Sequence, residues 1–262
     1  MGVPISFRVG PTDAVYGDDL ARLDGPWLAN GYLPIIEMSY REGDATYRQE
    51  AFVSVEPSMA NHGVLFVRFA LDAGREGMVS AHVTAPESLR LNGHQLCNDS
   101  HQVFVCAGSN WQWDPARQTL AATLAPGGEA VLAVFTDAAP KLATTASLSG
   151  NEYRNQRQRC VTTWQRLLGK GVNLDVPETV VNNAWRAVLG ANFTVVTGNT
   201  VNYSAGNDYL KEYITEGSRT VGAFMLFGFT DESPPMLLSL LDHSIPEHIY
   251  AVTSWKMRAL TQ

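Results

Sequence analysis

The residues best suited to handling a polar ligand gather between positions 207 and 219: Asn207, Asp208, Tyr209, Glu212, Tyr213, Glu216 and Arg219. Carboxylates and an amide supply hydrogen-bond acceptors, a guanidinium supplies a fork of donors, and phenol rings combine a stacking face with a hydroxyl. They lead into Gly217 to Phe229, where Val221, Ala223, Phe224, Met225, Leu226 and Phe227 leave no solvated face. The spacing therefore predicts an inner helix wrapped by other helices. Polar loops meeting the end of a rigid element are where ligands bind. Glu216, in the first turn of that helix, would also offset the helix dipole without any part in chemistry. Both roles stay open at this point.

The flanking segments must position that junction. Asp175-Val-Pro-Glu178 has the form of a helix start, with Asp175 as N-cap and Pro177 in the first turn. Val180, Val181, Ala184, Trp185, Val188 and Leu189 then recur at helical spacing, which predicts an amphipathic outer helix. Asp231-Glu-Ser-Pro-Pro235 opens another, carried by Met236 to Leu241, so the order is outer, inner, outer. The segment after Ser244 turns at Pro246 and regains helical spacing through Trp255, Met257 and Leu260.

Earlier in the chain the period changes. Up to about residue 25 the turn signals Gly10-Pro11, Gly17-Asp-Asp19 and Asp24-Gly-Pro26 predict loop. Short β-branched or aromatic runs follow at 32–38, 47–55, 64–71, 78–84, 102–107, 119–124 and 130–136, with Gly, Pro, Asn and Asp clusters between them. Strands at this spacing predict a β-sandwich. A helix at 152–168, ended by Gly169-Lys-Gly171, links it to what comes next. The expected division is a β-sandwich domain over 1–145, a linker helix over 146–172 and helical hairpins over 173–262.

Three stretches carry a resemblance. Val176-Pro-Glu-Thr-Val-Val-Asn-Asn-Ala-Trp-Arg186, then Tyr203-Ser-Ala-x-Asn-x-Tyr209, then Glu216-Gly through Leu226-Phe-Gly-Phe-Thr-Asp231 resemble the first hairpins of the catalytic domain in the six-hairpin glycosidases. The pattern extends over about residues 26–262, and the sharper matches lie within 176–243. The resemblance implies a β-sandwich domain followed by α-helical hairpins of an incomplete (α/α)6 barrel, and a glycoside hydrolase acting on a carbohydrate substrate at the barrel mouth. Such hydrolysis takes two carboxyl groups flanking the scissile bond. Glu216 and Asp208 are the catalytic candidates, and Asn207, Asp208, Tyr209, Tyr213, Glu216 and Arg219 the substrate-binding ones. In that family the acid and base usually come from later barrel loops. The chain is thus expected to be a fragment, inactive alone, that self-associates through an open barrel flank. The alternatives are a non-catalytic carbohydrate-binding module and a structural protein.

Composition narrows the rest. A net charge of −7 without a Lys/Arg cluster argues against nucleic acid or an anionic membrane as partner. No apolar run is long enough to span a bilayer and there is no signal peptide, which leaves the compartment open. Cys97, Cys106 and Cys160 are too irregular for a zinc site, and read as buried thiols, with a Cys97–Cys106 pair across a hairpin as the oxidised alternative. The histidines are scattered, and no phosphate-loop, dinucleotide or zinc-protease motif occurs, so neither metal nor cofactor is expected. Trp111-Gln-Trp113 puts two indoles on one side of an extended segment, as a sugar platform or a sandwich rim. Tyr203, Tyr209 and Tyr213 divide in the same way between sugar stacking and core packing.

Overall fold

A computed structural model of the chain describes residues 3–85, 88–139, 148–202 and 212–244. Two compact units divide after Trp164. The first unit holds β1 (Ile5–Val9), β2 (Ala14–Val15), β3 (Leu23–Ala29), β4 (Leu33–Glu42), β5 (Ala45–Val53), the single-turn α1 (Pro57–Ala60), β6 (Val64–Ala73) and β7 (Gly77–Val83). It continues with β8 (Arg90–Asn92), β9 (Gln95–Cys97), β10 (Val103–Ala107), β11 (Gln112–Asp114), β12 (Thr119–Leu124), β13 (Glu129–Ala139) and most of α2 (Gly150–Leu168). The strands form a β-sandwich of a five-stranded sheet, β11-β12-β7-β1-β2, and an eight-stranded sheet, β3-β4-β5-β6-β13-β10-β9-β8. All pairings are antiparallel.

Strand alternation explains how the sheets face each other. Val9, Val79, Ala81, Leu120 and Leu124 of the smaller sheet meet Tyr40, Tyr47, Val67, Phe69, Leu71 and Leu132 of the larger in one buried core. The larger sheet is apolar on its other face as well. There Ile35, Phe52, Phe66, Val131, Ala133 and Phe135 pack against Tyr153, Cys160 and Val161 of α2. Beside this second core runs a buried charge cluster. The Tyr153 hydroxyl donates to Glu50 at 2.9 Å, Arg157 Nε donates to Glu50 at 2.8 Å, and Arg68 lies 3.8 Å away. The helix expected only as a linker is therefore tied down along its length through Trp164.

The N-terminal stretch departs from the loop expected up to about residue 25. Ile5, Phe7 and Val9 alternate with Ser6 and Arg8, enough to make β1 beside β7 in the register Phe7↔Ala81. The Asp24-Gly-Pro26 signal lies inside β3, at an irregularity in its pairing with β4. Proline survives there because β3 is an edge strand and needs no ladder donor on its free side.

The second unit holds α3 (Thr179–Thr194), the hairpin β14 (Val196–Thr197) and β15 (Thr200–Val201), α4 (Ile214–Leu226) and α5 (Ser233–Ser244). The first of these helices starts later than the Asp175 signal predicts. Asn182 holds Val176 by two bonds, from its amide to the carbonyl at 2.8 Å and from the Val176 N–H to its oxygen at 3.0 Å. That clamp keeps 173–178 outside the helix, and Glu178 becomes the N-cap. Helices α4 and α5 run antiparallel, because Gly217 near the start of one meets Leu240 near the end of the other. A Cβ at Gly217 would lie 2.8 Å from Leu240 Cδ2. Phe193 of α3 stacks on Phe224 of α4 at 4.2 Å between centroids, and Phe229 closes edge-on against both.

Candidate functional site

Helix α4 is one-sided, which corrects the expectation of an all-round buried helix. Gly217, Thr220, Val221 and Phe224 are buried, whereas Met225 is 47% and Leu226 82% exposed. The helix also ends early. Phe227 is its C-cap and Gly228, at φ +91°, turns the chain so that Phe229 folds back into the core. The apolar stripe of α3 is likewise placed differently from its expected core face: Leu189, Gly190 and Phe193 are buried while Val180 and Val188 stay 75% and 57% exposed.

Between α3 and α4 lies a groove of about 530 Å³, lined by Trp185, Val188, Leu189, Asn192, Glu216, Arg219, Thr220, Ala223, Phe224 and Phe227. Two of the candidate residues, Glu216 and Arg219, fall one helical turn apart on its wall. Among the described residues neither side chain makes a hydrogen bond or ion pair, so the carboxylate and the guanidinium are both available to a ligand. Thr220 is committed, its hydroxyl donating to the Glu216 carbonyl at 3.0 Å. Trp185 is anchored by its indole N–H, which donates to the Val172 carbonyl at 3.0 Å, and by an edge-on contact with Phe227 at 4.8 Å. Asn192 donates to the Val188 carbonyl at 2.8 Å.

The remaining candidates divide. Tyr213 occupies the N-cap of α4, 36% exposed, and does not line the groove. Glu212 accepts the backbone N–H of Val201 at 3.1 Å and serves the hairpin. Asn207, Asp208 and Tyr209, with Tyr203 and the turn at Pro246 and its following segment, lie outside the described residues. The sequence reading missed Trp185 and Asn192 as site residues. By spacing Trp185 belongs to the apolar stripe of an amphipathic outer helix, and nothing local in either residue signals that α3 would pair with α4.

No family model matches the chain. No curated protein matches it either. Among solved structures, it is similar to one described as "Putative kojibiose phosphorylase from human microbiome", at 9% identity and a TM-score of 0.32, over 85% of this chain and 31% of that one. The chain thus spans under a third of that structure's length, and a likeness at this level says nothing about reaction or ligand.

Other signals in the sequence resolve structurally. Trp111 is buried, its indole N–H donating to the Val131 carbonyl at 2.9 Å, and Trp113 packs at the margin of the same core, so the two indoles form no exposed platform. The cysteines are free thiols. In the β9–β10 pairing Cys97 opposes Val103 and Cys106 opposes Gln95, which rules out the expected alternative of a bridge across that hairpin. Burial pushes the Cys106 thiol up to about 12 and that of Cys160 to about 11. Among the described residues no group of three His, Cys, Asp or Glu side chains could hold a metal ion, and no helix is long and apolar enough to cross a membrane.

Proposed function

We propose that the chain is the substrate-binding part of a carbohydrate-active, glycoside hydrolase-like protein, with α3, α4 and α5 as the first helices of an (α/α)6-type barrel. The observation that carries this reading is the pairing of Glu216 and Arg219, both uncommitted, on a groove walled by Trp185, Phe224 and Phe227. Sugars are recognised by that combination, in which ring faces rest on aromatic surface and charged groups bond the hydroxyls. The groove is also within the size range of small-ligand sites.

One specific feature favours binding over turnover within the described residues. Glu216 is the sole carboxylate lining the groove, whereas glycoside hydrolysis takes two. A second would have to come from Asp208 or from elsewhere in a longer protein.

Titration of maltotriose and cellotriose into 15N-tryptophan-labelled chain tests the reading, because Trp185 lines the groove. A saturable Trp185 shift is expected. Glu216→Gln and Arg219→Ala should each weaken it about ten- to a hundredfold, corresponding to about 1–3 kcal/mol for a hydrogen bond to a charged group. No Trp185 shift with either trisaccharide, or equal affinity in both variants, would remove the groove as a sugar site. Turnover of an aryl glycoside by the chain, abolished in Glu216→Gln, would instead promote Glu216 to a reacting group.

A further inference from the structure

The sandwich unit has an open polar face of its own. On the α2-facing side of the eight-stranded sheet, away from the residues that pack against α2, lies a groove of about 460 Å³ lined by Arg22, Leu23, Asp24, Ser39, Arg41 and Thr46. Register explains the gathering. Asp24 opposes Ser39, and Arg41 opposes Thr46, so four polar side chains from β3, β4 and β5 share one face. Trp27 opposes Glu37, one pair further along the same face, and is 62% exposed.

Most charged groups of this sheet are already matched. Arg22 pairs with Asp19 and Glu42, Arg48 with Asp72, and Arg157 of α2 with Glu37 and Glu50. Asp24, Ser39, Arg41 and Thr46 differ, because among the described residues their side chains make no hydrogen bond or ion pair. Together they present an acceptor pair, a donor fork and two hydroxyls, with an indole at the end of the row. From Glu37 to Arg41 the row runs roughly 13 Å at ~3.3 Å per residue.

We infer that this face is a second, separate saccharide-binding surface, taking a short neutral oligosaccharide with one ring over Trp27 and the next bonded by Asp24 and Arg41. A carboxylate beside a guanidinium matches vicinal hydroxyls, which both donate and accept, and an exposed indole supplies the apolar face that solvated polar residues lack. An anion would meet Arg41 but also the unpaired charge of Asp24, which disfavours it. The inference is independent of the α3–α4 groove.

The test uses the whole chain with 15N-labelled tryptophan, the Trp27 indole resonance being assigned by its loss in Trp27→Phe. Maltotriose or cellotriose should shift that resonance saturably. Asp24→Asn and Arg41→Gln, both exposed and so expected to fold, should each weaken the response about tenfold, and Glu216→Gln should leave it unchanged. A Trp27 resonance unmoved by both trisaccharides overturns the inference, whatever Trp185 does. So does a shift of undiminished affinity in Asp24→Asn and Arg41→Gln. A response to inorganic phosphate alone would make the face an anion site and overturn the saccharide assignment.

Discussion

The two units differ in where their apolar surface goes, although the sandwich too leaves Leu20 and Trp27 79% and 62% exposed. In the sandwich, both faces of the eight-stranded sheet are buried around Phe69 and Phe66, one by the second sheet and the other by α2. In the helical unit, Val180, Val188, Met225, Leu226 and Leu238 are 75%, 57%, 47%, 82% and 61% exposed. Hydrophobic burial scales with area removed from water, so these side chains of the second unit contribute far less to its order than the two cores do to the first. Removing a contact should therefore be costly in the sandwich and nearly free along the exposed helices.

The largest effect is expected at Glu50, which is 3% exposed and bonded by Tyr153 and Arg157. Glu50→Ala would remove the buried carboxylate that both groups bond, leaving Arg157 only its longer contact with Glu37 at 3.4 Å and the Tyr153 hydroxyl only the backbone carbonyl of residue 50 at 3.3 Å. Breaking one side of such a pair costs about 3–5 kcal/mol, although Arg157 is partly exposed and draws the value to about 3. Urea unfolding followed by tryptophan fluorescence measures it. A loss below about 1 kcal/mol would mean that α2 does not depend on this cluster.

A smaller, pH-dependent effect is expected on the outer face of the five-stranded sheet. Asp13 accepts from Ser80 at 2.9 Å and Arg8 at 3.2 Å, with His82 at 3.3 Å. Burial alone would raise the Asp13 carboxyl, but the Ser80 bond and the His82 and Arg8 charges outweigh it and hold the group below its ordinary 3.8. A folded pKa below the unfolded one gives stability that is present above the unfolded pKa and disappears as pH falls through the folded one. The stability gap between the native chain and Asp13→Asn should be at most about 1 kcal/mol, since the Asp13 side chain is 44% exposed. It should shrink only as pH falls below the ordinary carboxylate value of 3.8. A gap that widens on acidification would reverse the assignment.

How much was readable in the sequence follows from the same contrast. Strands β4, β5, β6, β7, β10, β12 and β13 were legible as β-branched or aromatic runs bounded by turn residues, near-continuous where a strand such as β6 or β13 is buried on both faces. Strands β1, β2, β3, β8, β9 and β11 were not: they are short or lie toward the sheet margins, and in β3 the Gly25-Pro26 signal interrupts the run. Trp27 escaped notice for that reason. In the helical unit the elements were legible but their buried faces were not, because a run such as Val221 to Phe227 is apolar at every position and only its neighbours decide which residues are covered. Glu216 and Arg219 could be picked out by chemistry, whereas Trp185 joins them solely through the packing of α3 on α4.

The smallest effect on folding, and the one that most sharpens the contrast, is expected at Leu226. At 82% exposed it has little burial to lose, and it sits in the last turn of α4, so Leu226→Glu should change unfolding stability by no more than about 0.5 kcal/mol. Its consequence should lie elsewhere. Exposed apolar side chains grouped on one unit mark a surface for association, and a charge placed among them opposes self-contact by desolvation and like-charge repulsion between copies. Sedimentation of the native chain should therefore show reversible self-association that Leu226→Glu weakens, with matching loss of hydrophobic dye binding. Arg8→Gln on the sandwich, which also alters charge but touches no apolar patch, should leave association unchanged. A native chain that stays monomeric and dye-silent at high concentration would show that the flank of α4 needs no neighbour, and the difference between the two units would then be one of exposure alone.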